Sequence, residues 1–294
     1  MKNKLYLTIF LLTSFLIQLN ANQNKIIYLI SPPRSLSVAF LRMMYARGDF
    51  KIMHEPCVLP YALIHYKDHT KDWFRKDVPQ TFQEVKEKII QEAETGNLFI
   101  KDISCACKDL FLNDIEFIKN TNIQFVFLLR NPHHVILSFY NRIKEIADGF
   151  SDLVDYKSCY EIFKEVKKFT VNTPIIIFTE DLYSKPKETV QKFCKAVQIP
   201  FIESSLSWEN LGEDFEGFKE WHETKFKEHT QHWHGDAIKS TGFGKPAQYK
   251  VDENGKPTFS EITNETDKKA CGKVYEENLK FYNLFLLENS HFLK

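Results

Sequence analysis

The chain holds 294 residues, enough for one large domain or two small ones, and its 43% hydrophobic residues, 26 Phe among them, supply a sizeable aromatic core. Lys plus Arg and Asp plus Glu stand at 39 each. A net charge of zero excludes general nucleic-acid binding and a basic membrane-surface role, so any anion site must be local.

The first residues, MKNK, lead into an apolar run from Leu5 to Leu19, broken by Thr8, Thr13, Ser14 and Gln18, with the small residue Ala21 beyond it. This pattern predicts a secretory signal peptide over residues 1–21, and with it export. An uncleaved signal anchor is the alternative and the only membrane contact foreseen, although the run is short for a full span. Residues 22–294 are expected to form one folded domain. Of the six cysteines, Cys159 and Cys194 fall on apolar helix faces and read as core residues. Six cysteines allow 15 pairings, and the spacing selects none.

Ile26 to Ile30 is an apolar run that reads as a buried strand. It turns through Ser31-Pro32-Pro33-Arg34-Ser35 into a helical pattern carrying Leu36, Phe40, Met43 and Met44 at three- and four-residue spacing. Such a turn aims unpaired N–H groups and a helix dipole at one point. Arg34 adds a planar cation, and Ser35 and Ser37 add donors that can cap the helix. The product is an anion cradle without the glycines or lysine of a Walker A loop.

Lys51 to His54 reads as a second strand ending in His54-Glu55. A helix from Pro79 to Glu94 follows, then a third strand at Leu98–Ile100 leading into Lys101-Asp102. After a helix from Leu110 to Lys119, Ile123 to Leu129 is the cleanest buried strand and stops at Arg130-Asn131-Pro132. The helix beyond it turns Val135, Ile136, Phe139, Ile143 and Ile146 inward. A helix at Cys159–Lys168, a fifth strand at Pro174–Phe178 ending in Glu180-Asp181, and a helix at Lys187–Val197 complete the series. Strands alternating with helices predict an α/β fold with a mostly parallel five-stranded sheet flanked by helices. All five polar strand ends then project on one edge, where such sheets bind ligands.

Past Glu203 the pattern changes. Trp208, Trp221 and Trp233 crowd with His222, His229, His232 and His234. On a helix His229 and His232 share a face while His234 points away, so no metal site is expected. Lys239 to Lys245 reads as a basic loop, Asn254-Gly255 as a turn, and Asp267 to Leu287 as a terminal helix packing through Tyr275, Leu279, Tyr282, Phe285 and Leu286.

Arg130 and Ser138 stand eight residues apart across a strand-to-helix turn, placed to hold a second phosphate. With these motifs in order, the chain resembles the sulfotransferases that use 3′-phosphoadenosine 5′-phosphosulfate (PAPS). Pro33-Arg34-Ser35-Leu36-Ser37 looks like their 5′-phosphosulfate loop, and residues 125–142 are similar to their 3′-phosphate motif. Phe178-Thr179-Glu180-Asp181-Leu182 looks like their Tyr-Glu-Asp-Leu segment. Residues 205–208 and 240–243 resemble a bacterial branch of the family with an arginine in the first loop.

The resemblance implies a P-loop-NTPase-like sulfotransferase fold, with PAPS as co-substrate and no metal. Arg34, Ser35, Leu36 and Ser37 would hold the sulfuryl group and 5′-phosphate, and Arg130 and Ser138 the 3′-phosphate. Lys239 and Gly242 belong to the last nucleotide-binding loop, whose usual Arg-Lys-Gly start is missing, so that Lys239 or Lys245 stands in. Cytosolic members carry a catalytic histidine just after the lysine of the third strand, and this chain has Lys101-Asp102-Ile103 instead. The expected base is therefore Glu55, with His54 as competitor and Lys101 steadying the leaving phosphate. The function implied is sulfuryl transfer to a hydroxyl or amine of a small molecule or glycan. A non-catalytic secreted nucleotide-binding protein of this fold is the alternative. A magnesium-dependent nucleotide kinase ranks below both.

Overall fold

The structure is a computed structural model that describes residues 24–66, 76–119, 123–144, 150–211, 227–245, 247 and 249–289. The expected signal peptide, Ile146, Trp221 and His222 lie outside the described residues, as does the His229 side chain.

Strand β1 (Ile26–Ser31) leads through the Pro-Pro turn into α1 (Ser37–Arg47), which is followed by β2 (Lys51–His54), α2 (Val58–His65) and α3 (Phe82–Glu94). Then come β3 (Leu98–Ile103), α4 (Ser104–Asn113), β4 (Ile123–Leu129), α5 (Pro132–Ile143), α6 (Tyr156–Phe169) and β5 (Ile175–Phe178). Helices α7 (Thr179–Ser184), α8 (Pro186–Ala196), α9 (Lys227–Lys239) and α10 (Glu265–Asn289) complete the elements that matter here.

The strands form one sheet in the order β2-β3-β1-β4-β5, and every pairing is parallel. Parallel sheets need both faces covered, and β1 shows how the sequence achieves it. Its alternate residues Ile26, Tyr28 and Ile30 enter one core with α3, α4, α5, α6 and α10, while Ile27 and Leu29 enter a second core with α1 and α8. The two-residue side-chain period of a strand thus feeds two separate helix layers.

Several boundaries differ from expectation for local reasons. Helix α3 starts at Phe82, because Thr81 and Glu84 close a reciprocal capping box. The helix expected at 110–119 begins earlier, at Ser104, and breaks at Asp114, whose carboxylate accepts from the Phe117 N–H at 2.9 Å. Glu180 and Asp181 open α7 instead of ending the strand. Leu286, expected to pack inward, is 43% exposed. All six cysteines are buried free thiols.

Candidate functional site

Since all strands run one way, their carboxyl ends share an edge, and a cavity of about 790 Å3 opens there. Arg34, Ser35, Leu36 and Ser37 from the β1–α1 turn, Glu55, Lys101, Arg130 and Ser138 all reach its wall. Residues 104 apart in sequence meet directly, for Arg34 Nε donates to Ser138 Oγ at 3.2 Å. Arg130 Nη1 donates to the Arg34 carbonyl at 2.9 Å, and Tyr156 OH holds the Arg130 carbonyl. Arg130 Nε is buried with no hydrogen-bond partner among the described residues. A buried donor left open is costly unless a ligand fills it.

The β1–α1 turn is built under strain. Arg34 and Leu36 adopt left-handed backbone angles, φ 61° and 58°. Each costs on the order of 1 kcal/mol for a non-glycine residue. Thr179 pins the turn by donating to the Ser35 carbonyl at 3.0 Å. Neither serine caps α1 as expected: its N-cap is Leu36, which offers no side-chain acceptor. The first-turn residues Ser37, Val38 and Ala39 border the cavity instead, so the helix presents uncapped N–H groups to it. Burial, and after it the nearby Arg142, lowers the Arg34 guanidinium to about 10, and burial lowers Arg130 in the same direction.

At the other end of the edge Glu55 forms a buried ion pair with Lys101. Burial alone would raise the Glu55 carboxyl, but Lys101 and then His54 outweigh it and hold the group well below its ordinary 4.5. His54 sits behind Glu55, its Nε2 3.5 Å from the Glu55 carboxylate, and does not border the cavity. Asp102 also lies off the cavity. Burial pushes its carboxyl up to about 6, and it accepts from Tyr28 OH and the Cys57 N–H.

Helix α9 covers this edge. Its Trp233 carbonyl accepts from Arg34 Nη1 at 2.6 Å. Asp236 forms an ion pair with Arg142 and approaches Arg34 at 3.9 Å while its side chain stays 80% exposed. His232 is exposed, and His234, on another side of α9 as helical spacing predicts, turns inward. It borders the cavity, and its ring lies 5.1 Å from that of His54. The candidate ligand atoms of His54, Glu55 and His234 lie within 4.8 Å of one another. The Lys101 ammonium already fills the Glu55 carboxylate there, which disfavours a metal ion.

Of the expected last-loop residues, Gly242 borders the cavity and Lys239 does not, being exposed at the end of α9, whereas Lys245 does. Gly242 is a close-approach position, since a Cβ there would stand 3.2 Å from the Leu206 carbonyl. Arg142, Asp236 and Tyr249 were not foreseen; they carry no motif, and only the fold brings them in.

Residues 24–254 match the profile of the sulfotransferase domain family. The chain belongs to that family. Branched-chain-amino-acid aminotransferase-like protein 2 of Arabidopsis thaliana is 26% identical over 232 residues, covering 76% of this chain and 37% of the relative. This chain thus spans little more than a third of that protein. Mouse sulfotransferase SULT7A1 complexed with PAP is 10% identical at a TM-score of 0.44, over 87% of this chain and 85% of that one. The sulfotransferase domain of the Synechococcus PCC 7002 olefin synthase is 14% identical at 0.41, over 72% and 88%. Both structural likenesses are loose, and membership rests on the family match. The family and the parallel α/β fold support a transferase of sulfuryl groups.

Proposed function

We propose that the chain transfers the sulfuryl group of PAPS to a hydroxyl or amine on a small acceptor. The observation that carries this reading is the convergence of Arg34, Arg130 and Ser138 on one cavity, with the Arg130 Nε buried and open. Two guanidinium groups, a hydroxyl and an uncapped helix start suit a ligand with several anionic groups. Sulfuryl transfer then requires positioning and stabilisation of charge on the leaving phosphate. Lys101, on β3 next to β1, borders the same cavity and supplies charge at that point.

The sheet order also separates two halves of the cavity. Arg130 and Arg34 stand at β4 and β1, while past β3 and β2 the wall turns apolar with Ile103, Val58, Tyr61 and Ala62. The charged half suits the nucleotide, and the apolar half suits an acceptor with a hydrophobic body better than a glycan. The test is thermal unfolding with adenosine 3′,5′-bisphosphate together with transfer from sulfur-labelled PAPS to a panel of phenols, alcohols and glycans. Stabilisation by the bisphosphate and label in an acceptor are expected. An unchanged melting temperature at saturating nucleotide removes the reading, and stabilisation without transfer favours the non-catalytic alternative.

A further inference from the structure

We propose that His234, supplied by α9, is the base that takes the acceptor's proton, an inference that rests on the sulfuryl-transfer reading above. Three observations carry it. His234 borders the cavity beside Glu55 and Lys101, where the charged half meets the apolar half. Its Nδ1 is buried with no hydrogen-bond partner among the described residues, so the ring has a lone pair or a proton that nothing in the fold uses. The alternatives in the same place are spent or withdrawn. Glu55 is bound to Lys101, His54 lies behind the wall, and β3 carries no histidine after Lys101.

The charges around the ring suit the task. Burial, and then His54, lower its basicity; Glu55 alone opposes them, and Lys101 and Arg34 lower it further. The imidazole is thus held in its neutral form, the form in which a ring nitrogen can take a proton. Phosphates arriving on Arg34 and Lys101 offset the part of the depression that those two cations add to that of burial and His54, which moves the ring's basicity upward. In the reaction the acceptor oxygen bonds to sulfur while sulfur's bond to the bridging oxygen of the 5′-phosphate breaks. The acceptor's proton passes to a ring nitrogen of His234. The electron pair of the broken bond leaves on adenosine 3′,5′-bisphosphate, and the imidazolium formed faces the Glu55 carboxylate.

The experiment compares the wild-type chain with His234→Gln and His234→Ala, using labelled PAPS and a series of ring-substituted phenols from weakly acidic to 4-nitrophenol. Both variants should keep stabilisation by adenosine 3′,5′-bisphosphate, which shows an intact fold and nucleotide site. Their kcat on the least acidic phenols should fall about 100-fold or more, the usual worth of a general base. The loss should shrink for 4-nitrophenol, which is largely ionised at mildly alkaline pH and needs no base. Imidazole added to His234→Ala should restore part of the rate, and the acidic limb of the wild-type pH profile should vanish in both variants. A loss uniform across the phenols, or no loss at all, overturns the assignment while leaving sulfuryl transfer intact. A wild-type chain stabilised by bisphosphate that transfers to no phenol and not to water also overturns it and leaves the nucleotide site standing. No stabilisation and no transfer by the wild type overturns the underlying reading instead.

Discussion

The two walls of the cavity are made differently. The sheet wall presents Arg34, Lys101 and Arg130 from strand ends whose backbones are fixed by parallel pairing, and Lys101 and Arg130 are 2% and 3% exposed. The cover wall, α9 and the segment after it, presents His234, Asp236 and Lys245 from a helix and loop outside the sheet. Asp236 there is 80% exposed although it pairs with two arginines. Charge on the sheet wall is therefore desolvated and strong, whereas charge on the cover is screened and adjustable.

Substitutions of charged groups on the sheet wall should therefore cost far more in stability and nucleotide binding than those of charged groups on the cover. The largest effect is expected at the buried pair. Glu55→Gln leaves Lys101 charged and unpaired, and urea unfolding at pH 7 should show a loss of about 3–5 kcal/mol. The double variant Glu55→Gln with Lys101→Met should recover much of it. Because the folded Glu55 carboxyl is held below its ordinary 4.5, its contribution is complete above that pH and is lost as pH falls through the depressed value. The gap in melting temperature between wild type and Glu55→Gln should accordingly close on acidification below pH 4.5.

Arg130→Ala comes next. Calorimetric titration should show adenosine 3′,5′-bisphosphate binding weakened by about 30-fold or more, since a buried charge-assisted contact is removed. A variant that binds as tightly as the wild type would break the assignment of Arg130. On the cover, Asp236→Asn removes a competing carboxylate from Arg34 and Arg142, and the same titration should show binding roughly 2- to 5-fold tighter. The smallest effect separates two lysines of the last loop. Lys245→Ala should weaken binding about 3-fold, with the effect shrinking at high salt, while Lys239→Ala should leave it unchanged.

The sequence by itself determined the sheet wall. Apolar runs of strand length, each ended by a polar cluster and followed by a helical pattern, left one architecture open, and parallel strands must bring their carboxyl ends to one edge. Arg34, Glu55, Lys101 and Arg130 were legible for that reason, and Ser138 through its eight-residue spacing from Arg130; all border the cavity. Only the tertiary structure decided the cover. Helical spacing states which residues share a face, yet not which face meets the sheet, so nothing in it marked His234 as a cavity residue, and Lys239 read as part of a basic binding loop. The packing of α9 across the strand ends turned His234 inward to Glu55 and left Lys239 in solvent. Which of the neighbours Glu55 and His54 faces the cavity was likewise decided by the fold. Adjacent residues leave a strand on opposite sides, and Glu55, at φ 50°, bends the backbone so that its own side chain enters the cavity.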